Sequence, residues 1–283
     1  MTSGPGVGEN LVILGTGNGQ VIALQQSNGS EVWRKPVLNE VLASPYITGK
    51  YVLINGQDGK LSALAARDGS MVWDYTEPMP NVVIRSSSEP QVQGDTVIVG
   101  FADGRLAALR LHDGELRWQQ QVAFGKGSSA GSRMVDILAD PIIKGDMVYT
   151  AAFQGKVAAL SLATGQLVWQ REISAVAGIA VDDKAIYVPD TQGQVWALDR
   201  KNGKVLWQQT ALQGRLFTGP AIVGDTVALA DDQGYVHWLS RQNGNLAARI
   251  KADSKGIWTT PISVGNALYV YTNGGRLVKY QLG

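Results

Sequence analysis

A repeat of roughly forty residues runs along nearly the whole of this 283-residue chain. Each copy opens with a proline, or a residue in its place, fourteen residues before a turn glycine. The opening residues are Pro5, Pro45, Pro90, Pro141, Ile179, Pro220 and Pro261, and the glycines are Gly19, Gly59, Gly104, Gly155, Gly193, Gly234 and Gly275. A fixed internal period indicates a repeat architecture, which constrains the fold more than any other feature of the sequence.

Six of the seven copies continue to a second turn glycine, and five of those carry a tryptophan four residues after it. The second glycines are Gly29, Gly69, Gly114, Gly165, Gly203 and Gly244, followed by Trp33, Trp73, Trp118, Trp169, Trp207 and, breaking the run, Ala248. Because one large aromatic side chain buries roughly 150–250 Å², we expect these tryptophans to pack between neighbouring repeats.

Short apolar segments between turn signals predict strands and not helices. Residues 61–64 and 157–160 are examples, and Asn-Gly or Asp-Gly pairs mark tight hairpins beside them. A small antiparallel sheet cannot bury both of its faces alone, and radial stacking of such sheets is the β-propeller. We therefore predict an all-β fold, a β-propeller of four-stranded antiparallel blades. It forms a single domain over residues 1–283, with repeats centred on 5–33, 45–73, 90–118, 141–169, 179–207, 220–248 and 261–283.

Composition argues against several classes of function. Lysine plus arginine (25) nearly balance aspartate plus glutamate (24), and no basic stripe with interleaved aromatic residues stands out, so nucleic acid is not an expected partner. No apolar run approaches the roughly 18 residues of a membrane span. The absence of cysteine excludes disulfides, thiolate catalysis and cysteine metal sites.

Side chains that carry chemistry are sparse. His112 and His237 fall in different repeats without metal-ligand spacing, and we predict surface or packing roles for both. The pairs 182–183 and 231–232 are predicted to be aspartates of solvated turns, because no spaced loop of oxygen ligands surrounds them. We predict no catalytic, cofactor or metal site.

Two consecutive connectors are longer than the others. The first long connector (residues 74–89) and the second long connector (residues 119–140) leave adjacent repeats, so we expect them to be neighbours in space. Insertions in repeat proteins fall on loops that often bind partners. Both connectors combine apolar residues with arginine or aspartate, a composition typical of a protein-binding patch.

The seventh repeat stops at Gly283 before the segment that carries the tryptophan in earlier copies. Propellers commonly close when one terminus completes the blade begun by the other. We expect that an upstream segment of the natural protein, with the closing strand, is absent from this sequence.

Residues 197–207 resemble the tryptophan-docking repeat of the PQQ-like quinoprotein propellers. The irregular segments 79–85, 132–136, 216–220 and 234–238 resemble the BamB family, the propeller lipoproteins of the outer-membrane β-barrel assembly machinery. The most specific of these segments is Gly-Tyr-x-His-Trp at 234–238, in the repeat that lacks its docking tryptophan. This resemblance covers essentially the whole chain.

The BamB resemblance implies eight blades, no cofactor, and a non-enzymatic scaffold at the periplasmic face of the cell outer membrane. It also implies a lipid anchor at an N-terminal cysteine that this chain does not contain. The implied partner is the periplasmic POTRA region of BamA, and the scaffold would assist the folding and insertion of outer-membrane proteins. The family's contact residues fall on Val82, Ile84, Arg85 and Asp136, while Leu138 stands where the family has a second aspartate.

Two alternative functions remain open from the sequence. The PQQ-like resemblance would also fit a PQQ-dependent dehydrogenase, although those enzymes are much longer and typically have a vicinal cysteine pair. Exposed strand edges could instead bind unfolded outer-membrane proteins directly by β-augmentation.

Overall fold

The computed structural model describes residues 4–37, 40–56, 58–78, 88–124, 137, 139–153, 155–175 and 177–282. The regular secondary structure in these ranges is all β-strand. The same ranges contain no helix that could cross a membrane. The chain forms two compact units. The first unit is Met1–Val148, Ala152–Gly155 and Leu160–Leu167, and the second unit is Tyr149–Ala151, Lys156–Ala159 and Val168–Gly283. The single domain expected over residues 1–283 remains a prediction.

Three antiparallel sheets, each with four strands in sequence order, belong to the first unit. Sheet one contains β1 (Gly6–Gly8), β2 (Leu11–Gly15), β3 (Gln20–Gln25) and β4 (Glu31–Pro36). Sheet two contains β5 (Tyr46–Thr48), β6 (Tyr51–Asn55), β7 (Lys60–Ala65) and β8 (Met71–Thr76). Sheet three contains β9 (Gln91–Gln93), β10 (Thr96–Gly100), β11 (Arg105–Arg110) and β12 (Leu116–Gln121).

Sheet four has residues in both units and contains β13 (Ile142–Lys144), β14 (Met147–Ala151), β15 (Lys156–Ser161) and β16 (Leu167–Glu172). Sheet five contains β17 (Ala180–Val181), β18 (Ala185–Pro189), β19 (Val195–Asp199) and β20 (Val205–Gln209). Sheet six contains β21 (Ala221–Val223), β22 (Thr226–Ala230), β23 (Tyr235–Ser240) and β24 (Leu246–Lys251). Sheet seven has three strands within the described ranges, β25 (Ile262–Val264), β26 (Ala267–Tyr271) and β27 (Leu277–Gln281).

Local sequence explains the hairpin between the third and fourth strands of a sheet. In sheet two, the Asp68 carboxylate accepts hydrogen bonds from the Ser70 backbone N–H at 3.0 Å and from the Ser70 hydroxyl at 2.7 Å. Gly69 takes the left-handed conformation with φ of 69°, which glycine adopts without a Cβ clash. A bulge follows in the pairing, since Ala63 lies opposite Trp73 whereas Leu64 lies opposite Met71.

The tryptophans of the fourth strands bind the next sheet, as predicted. Each indole N–H donates to a main-chain carbonyl at 2.7–3.0 Å, in the pairs Trp33–Ala66, Trp73–Leu111, Trp118–Leu162, Trp169–Arg200 and Trp207–Arg241. The ring lies against the second turn glycine of that sheet, where an added Cβ would come within 2.5–2.6 Å of a ring atom at Gly69, Gly114, Gly165, Gly203 and Gly244. Four-stranded meanders stacked in this way are the blades of a β-propeller, and the predicted fold class is confirmed.

Candidate functional site

The five residues predicted to contact a partner, Val82, Ile84, Arg85, Asp136 and Leu138, lie outside the described residues. The described parts of the two long connectors are 74–78 and 88–89 in the first, and 119–124, 137 and 139–140 in the second. All of them belong to the first unit. They establish how the two connectors are held at their ends.

The final residues of the two connectors are hydrogen bonded to each other. The backbone N–H of Glu89 donates to Oδ1 of Asp140 at 2.6 Å. Burial and the negative charge of Asp140 together raise the pKa of the Glu89 carboxyl to about 7. The contact confirms the prediction that the two connectors are neighbours in space.

The first residues of the two connectors are joined by a second contact. Glu77 is 2% exposed, and its Oε2 accepts hydrogen bonds from Nε2 of Gln119 at 2.5 Å and from the hydroxyl of Tyr75 at 2.8 Å. Its Oε1 forms an ion pair with Arg105 of β11. The pKa of the Tyr75 hydroxyl is well above its ordinary value. The main cause is burial, and the hydrogen bond to Glu77 adds to it. The buried carboxylate thus ties the beginning of the first connector to β11 and β12 of sheet three, where the second connector begins.

The returning ends of both connectors pack on the end of β10. Gly100 exchanges two hydrogen bonds with the Ser88 hydroxyl, accepting at 3.0 Å and donating at 3.1 Å. A Cβ at Gly100 would lie 2.5 Å from Cγ2 of Ile137, so the absence of a side chain makes room for the second connector. Asn55 of β6 donates to the Ser88 carbonyl at 2.9 Å. Ile137 itself is fully buried.

Sequence reasoning missed the pairs Glu77–Gln119 and Glu89–Asp140. The signal was present, since each partner is a polar residue near the first or last position of a long connector. Their pairing was not readable, because Glu77 and Gln119 are 42 residues apart in the chain and Glu89 and Asp140 are 51 apart.

A second polar cluster lies in the second unit and includes two residues of the Gly-Tyr-x-His-Trp segment. Asp231 and His237 are fully buried, and Nε2 of His237 lies 2.8 Å from Oδ2 of Asp231. Arg215 forms an ion pair with the same oxygen, while Oδ1 accepts the backbone N–H of Tyr235 at 2.8 Å. His237 therefore has the predicted packing role. The expectation that Asp231 is solvated is wrong, because these donors replace water around its carboxylate.

The expectation of a solvated turn aspartate is also wrong for Asp182 beside sheet five, which is buried. Its Oδ1 accepts two backbone N–H groups, and its Oδ2 accepts the Tyr187 hydroxyl at 2.8 Å and Nε of Arg241 at 2.9 Å. Burial would raise the pKa of this carboxyl, but those hydrogen bonds bring it below its ordinary value. Asp182 is a buried turn carboxylate that joins sheet five to Arg241 beyond β23.

Groups of three or more histidine, cysteine, aspartate or glutamate side chains that could hold a metal ion are absent from the described ranges.

Comparison with known proteins places the chain in a family. A family model described as "Outer membrane protein assembly factor BamB" matches residues 1–209 and 201–282. The chain is 38% identical to outer membrane protein assembly factor BamB of Xanthomonas campestris over 225 residues, which is 80% of this chain and 55% of that protein. It is 30% identical to BamB of Bordetella pertussis over 230 residues, 81% of this chain and 59% of that protein. The chain spans about half the length of the curated relatives that it matches.

A solved BamB structure agrees with this assignment. The crystal structure of BamB from Moraxella catarrhalis matches with a TM-score of 0.93 and 28% identity over 99% of this chain and 85% of that chain. The quinohemoprotein alcohol dehydrogenase of Comamonas testosteroni matches with a TM-score of 0.64 and 12% identity over 95% of this chain and 69% of that chain, a likeness of fold alone. The family match therefore rests on sequence and structure together, and the chain belongs to the outer membrane protein assembly factor BamB family.

Proposed function

We propose that this chain is a non-catalytic scaffold of the outer-membrane β-barrel assembly complex, which binds the periplasmic POTRA domains of BamA. In this role it assists the folding and insertion of outer-membrane proteins. Relatives named as outer membrane protein assembly factors support the general role. The observation that carries the proposal is the double anchoring of the two long connectors by Glu77–Gln119 and Glu89–Asp140.

Double anchoring supports a binding surface for a physical reason. The first connector joins sheet two to sheet three, and the second joins sheet three to sheet four. These contacts fix the described ends of the two connectors relative to each other before any partner arrives. A surface that is organised in advance loses less conformational entropy on binding, so more of its contact energy contributes to affinity.

Each predicted contact residue has a role in this proposal. Val82 and Ile84 supply apolar anchors, while Arg85 and Asp136 supply charge-assisted hydrogen bonds that orient the partner. Leu138 extends the apolar part of the surface where the resemblance would place an aspartate. The matching surface on a POTRA domain is therefore an apolar depression flanked by one acidic and one basic group.

The proposed role places the protein at the periplasmic face of the outer membrane, where the POTRA domains of BamA lie. The names of the relatives support an association with outer-membrane assembly.

Isothermal titration calorimetry of the chain with the purified POTRA region of its cognate BamA tests the proposal. We expect saturable binding that Arg85→Glu weakens by about 2–5 kcal/mol, because the substitution leaves a partner charge unpaired in the interface. Arg67→Glu is the matched control. Arg67 is an exposed residue of the hairpin between β7 and β8, at the opposite end of β8 from Glu77, and the change there should leave affinity unaltered.

Two results would overturn this proposal. Equal affinities of the wild type and a correctly folded Arg85→Glu variant would remove Arg85 from the contact. Absence of any POTRA binding by the wild-type chain would remove the adaptor function, and a search for bound quinone by absorbance and mass spectrometry would then test the dehydrogenase alternative.

A second candidate function is the direct binding of unfolded barrel precursors by β-augmentation. The observation in its favour is that β27 is the outer strand of a three-stranded sheet, and in the described residues it pairs with β26 alone. An extended peptide could add to this edge through backbone hydrogen bonds. Binding of peptides from barrel proteins in the absence of BamA would support it, and unchanged binding after insertion of proline in β27 would contradict it.

A further inference from the structure

Three cationic side chains surround the ring of Tyr235, which is the second residue of the Gly-Tyr-x-His-Trp segment. Cζ of Arg215 and Cζ of Arg249 each lie 5.2 Å from the ring centroid, and Nζ of Lys251 lies 5.0 Å from it. All four residues belong to the second unit, and we call them the Tyr235 patch. Cations within about 6 Å of a tyrosine ring are attracted to its face. Three positive charges therefore lie close together around this ring.

The register of sheet six explains this arrangement. Tyr235 of β23 lies opposite Lys251 of β24, and His237 lies opposite Arg249. Alternate residues of a strand project from the same face of a sheet, so Arg249 and Lys251 flank one another beside the ring. Both are exposed. A tyrosine two residues before a histidine therefore aligns with two cations of the neighbouring strand.

Positive charge in the Tyr235 patch exceeds the negative charge that it contacts. Arg215 is held by the buried carboxylate of Asp231. Burial would raise the pKa of Asp231, but hydrogen bonds from His237, from the backbone of Tyr235 and from Arg215 lower it below its ordinary value. Across the part of the chain that the structure describes, Arg249 and Lys251 form no ion pair. Two cations are thus available to an acidic partner.

Exposed apolar side chains flank the turn that holds Arg215. Asp232 donates its backbone N–H to the carbonyl of Leu216 at 3.0 Å and accepts the N–H of Leu216 on Oδ1 at 3.1 Å. Ile257 donates to the carbonyl of Asp231 at 3.0 Å, and Trp258 follows it in the chain. Leu216 is 47% exposed and Trp258 is 64% exposed. Tryptophan, tyrosine and arginine are the residues that most often dominate the energy of protein interfaces.

We propose that the Tyr235 patch, with Leu216 and Trp258, is a docking surface for an acidic protein segment that also carries apolar or aromatic side chains. The uncompensated charges of Arg249 and Lys251 select carboxylates, and the exposed leucine and tryptophan select apolar side chains beside them. An arginine fixed by a buried carboxylate favours the planar, directional contact of a protein carboxylate. This surface lies in the second unit and shares no residue with the proposed POTRA contact, so the two proposals stand or fall separately.

The experiment uses the full chain and a fluorescently labelled copolymer of glutamate and tyrosine, with binding followed by fluorescence anisotropy. The test variant combines Arg249→Glu with Lys251→Glu. The control variant combines Lys201→Glu with Lys204→Glu, since these lysines are exposed residues of the same unit, in and beside the turn that leads into β20. Both variants change the net charge equally, and thermal unfolding establishes that each is folded.

We expect the wild type and the control variant to bind the copolymer with similar affinity. The test variant should bind it at least about tenfold more weakly, which corresponds to a loss of about 1.4 kcal/mol in binding free energy. If the double variant fails to fold, Lys251→Ala and Tyr235→Leu take its place. Each should weaken copolymer binding by a smaller factor than the one expected for the double variant. Equal weakening of the test and control variants would overturn the proposal, because it would show a response to net charge alone. Absence of wild-type binding would overturn it as well. Binding to phosphatidylglycerol vesicles but not to the copolymer would replace it with a membrane surface.

Discussion

Trp238 of β23 lies directly opposite Ala248 of β24 in sheet six. The arrangement is reversed in sheet two, where the alanine, Ala63, is on the third strand and the tryptophan, Trp73, is on the fourth. The same alanine-to-tryptophan order recurs in the pairs Ala23–Trp33, Ala108–Trp118 and Ala197–Trp207. Sheet six has therefore exchanged the large and the small residue between two strands and kept one indole in the pair.

The exchange preserves burial and loses a hydrogen bond. Trp238 is 2% exposed and meets Tyr280 edge to face, with ring centroids 5.3 Å apart. Among the described residues its indole nitrogen is buried without a hydrogen-bond partner, whereas the indole of Trp73 donates to the carbonyl of Leu111 at 2.8 Å. Trp238 thus supplies the buried indole ring that sheets one to five place on their fourth strand, where sheet six has Ala248.

Replacement of each tryptophan by phenylalanine should separate these two contributions. Trp73→Phe removes ring volume and a hydrogen bond, while Trp238→Phe removes ring volume and an unsatisfied donor. We expect Trp238→Phe to be less destabilising by about 1 kcal/mol, the usual net value of one hydrogen bond. Chemical denaturation of both variants measures the difference. A larger loss at Trp238 would show that its indole N–H does have a partner in solution.

Alanine substitutions at two turn glycines test the seat of the docking tryptophan. Gly29 and Gly114 have nearly the same φ, 73° and 74°. A Cβ at Gly114 would lie 2.6 Å from the Trp73 ring, while in the part of the chain that the structure describes no atom lies within 4 Å of a Cβ at Gly29. Both variants incur the left-handed backbone penalty of roughly 1–2 kcal/mol. Gly114→Ala should lose about 1–3 kcal/mol more through overpacking.

Unfolding free energies of the two alanine variants decide this point. Equal losses would mean that the Trp73 ring moves aside without cost, and the glycine would then be required for its backbone conformation alone.

The contact between Glu77 and Gln119 should be visible as a coupling energy. A double-mutant cycle with Glu77→Gln and Gln119→Ala isolates it from the ion pair of Glu77 with Arg105. We expect a coupling of about 1.5–3 kcal/mol, the range for a hydrogen bond to a charged group. Additive effects in urea denaturation would show that the two connectors are independent at this end. The same variants should also weaken POTRA binding if anchoring organises the proposed surface.

The Glu89 carboxyl should make stability depend on pH. Its pKa is raised from 4.5 to about 7, so the native state binds more protons than the unfolded state between those values. The contribution of Glu89 to stability is therefore greatest below the lower value and falls as pH rises toward the upper one. The loss is at most about 3.5 kcal/mol, because each pKa unit corresponds to about 1.4 kcal/mol.

Urea denaturation of the wild type and of Glu89→Gln at about pH 5 and about pH 8 measures this effect, since the titration lies between those conditions. Glutamine does not titrate, so the variant should lose less stability between the two pH values than the wild type does. Parallel losses in both proteins would assign the pH dependence to other groups.

The sequence predicted the strands because the information for each lies within a few residues. The segments 61–64 and 157–160 are parts of β7 and β15. Turn glycines flank both segments in the sequence. The recurring tryptophan likewise predicted packing between neighbouring repeats, and Trp33 does lie against Gly69 of the next sheet. The same reasoning was wrong about Asp182 and Asp231, since the exposure of a turn depends on what packs over it.

What the sequence determined by itself is the period, the all-β class and the position of the two long connectors. These follow from short-range rules, in which turn glycines, short apolar segments and a recurring tryptophan act over four to fourteen residues. Only the tertiary structure decided that Glu89 binds Asp140, that Glu77 binds Gln119, and that Trp238 replaces the side chain missing at Ala248. Those contacts join residues of different strands and connectors, and their geometry is set by packing between sheets, which no local pattern encodes.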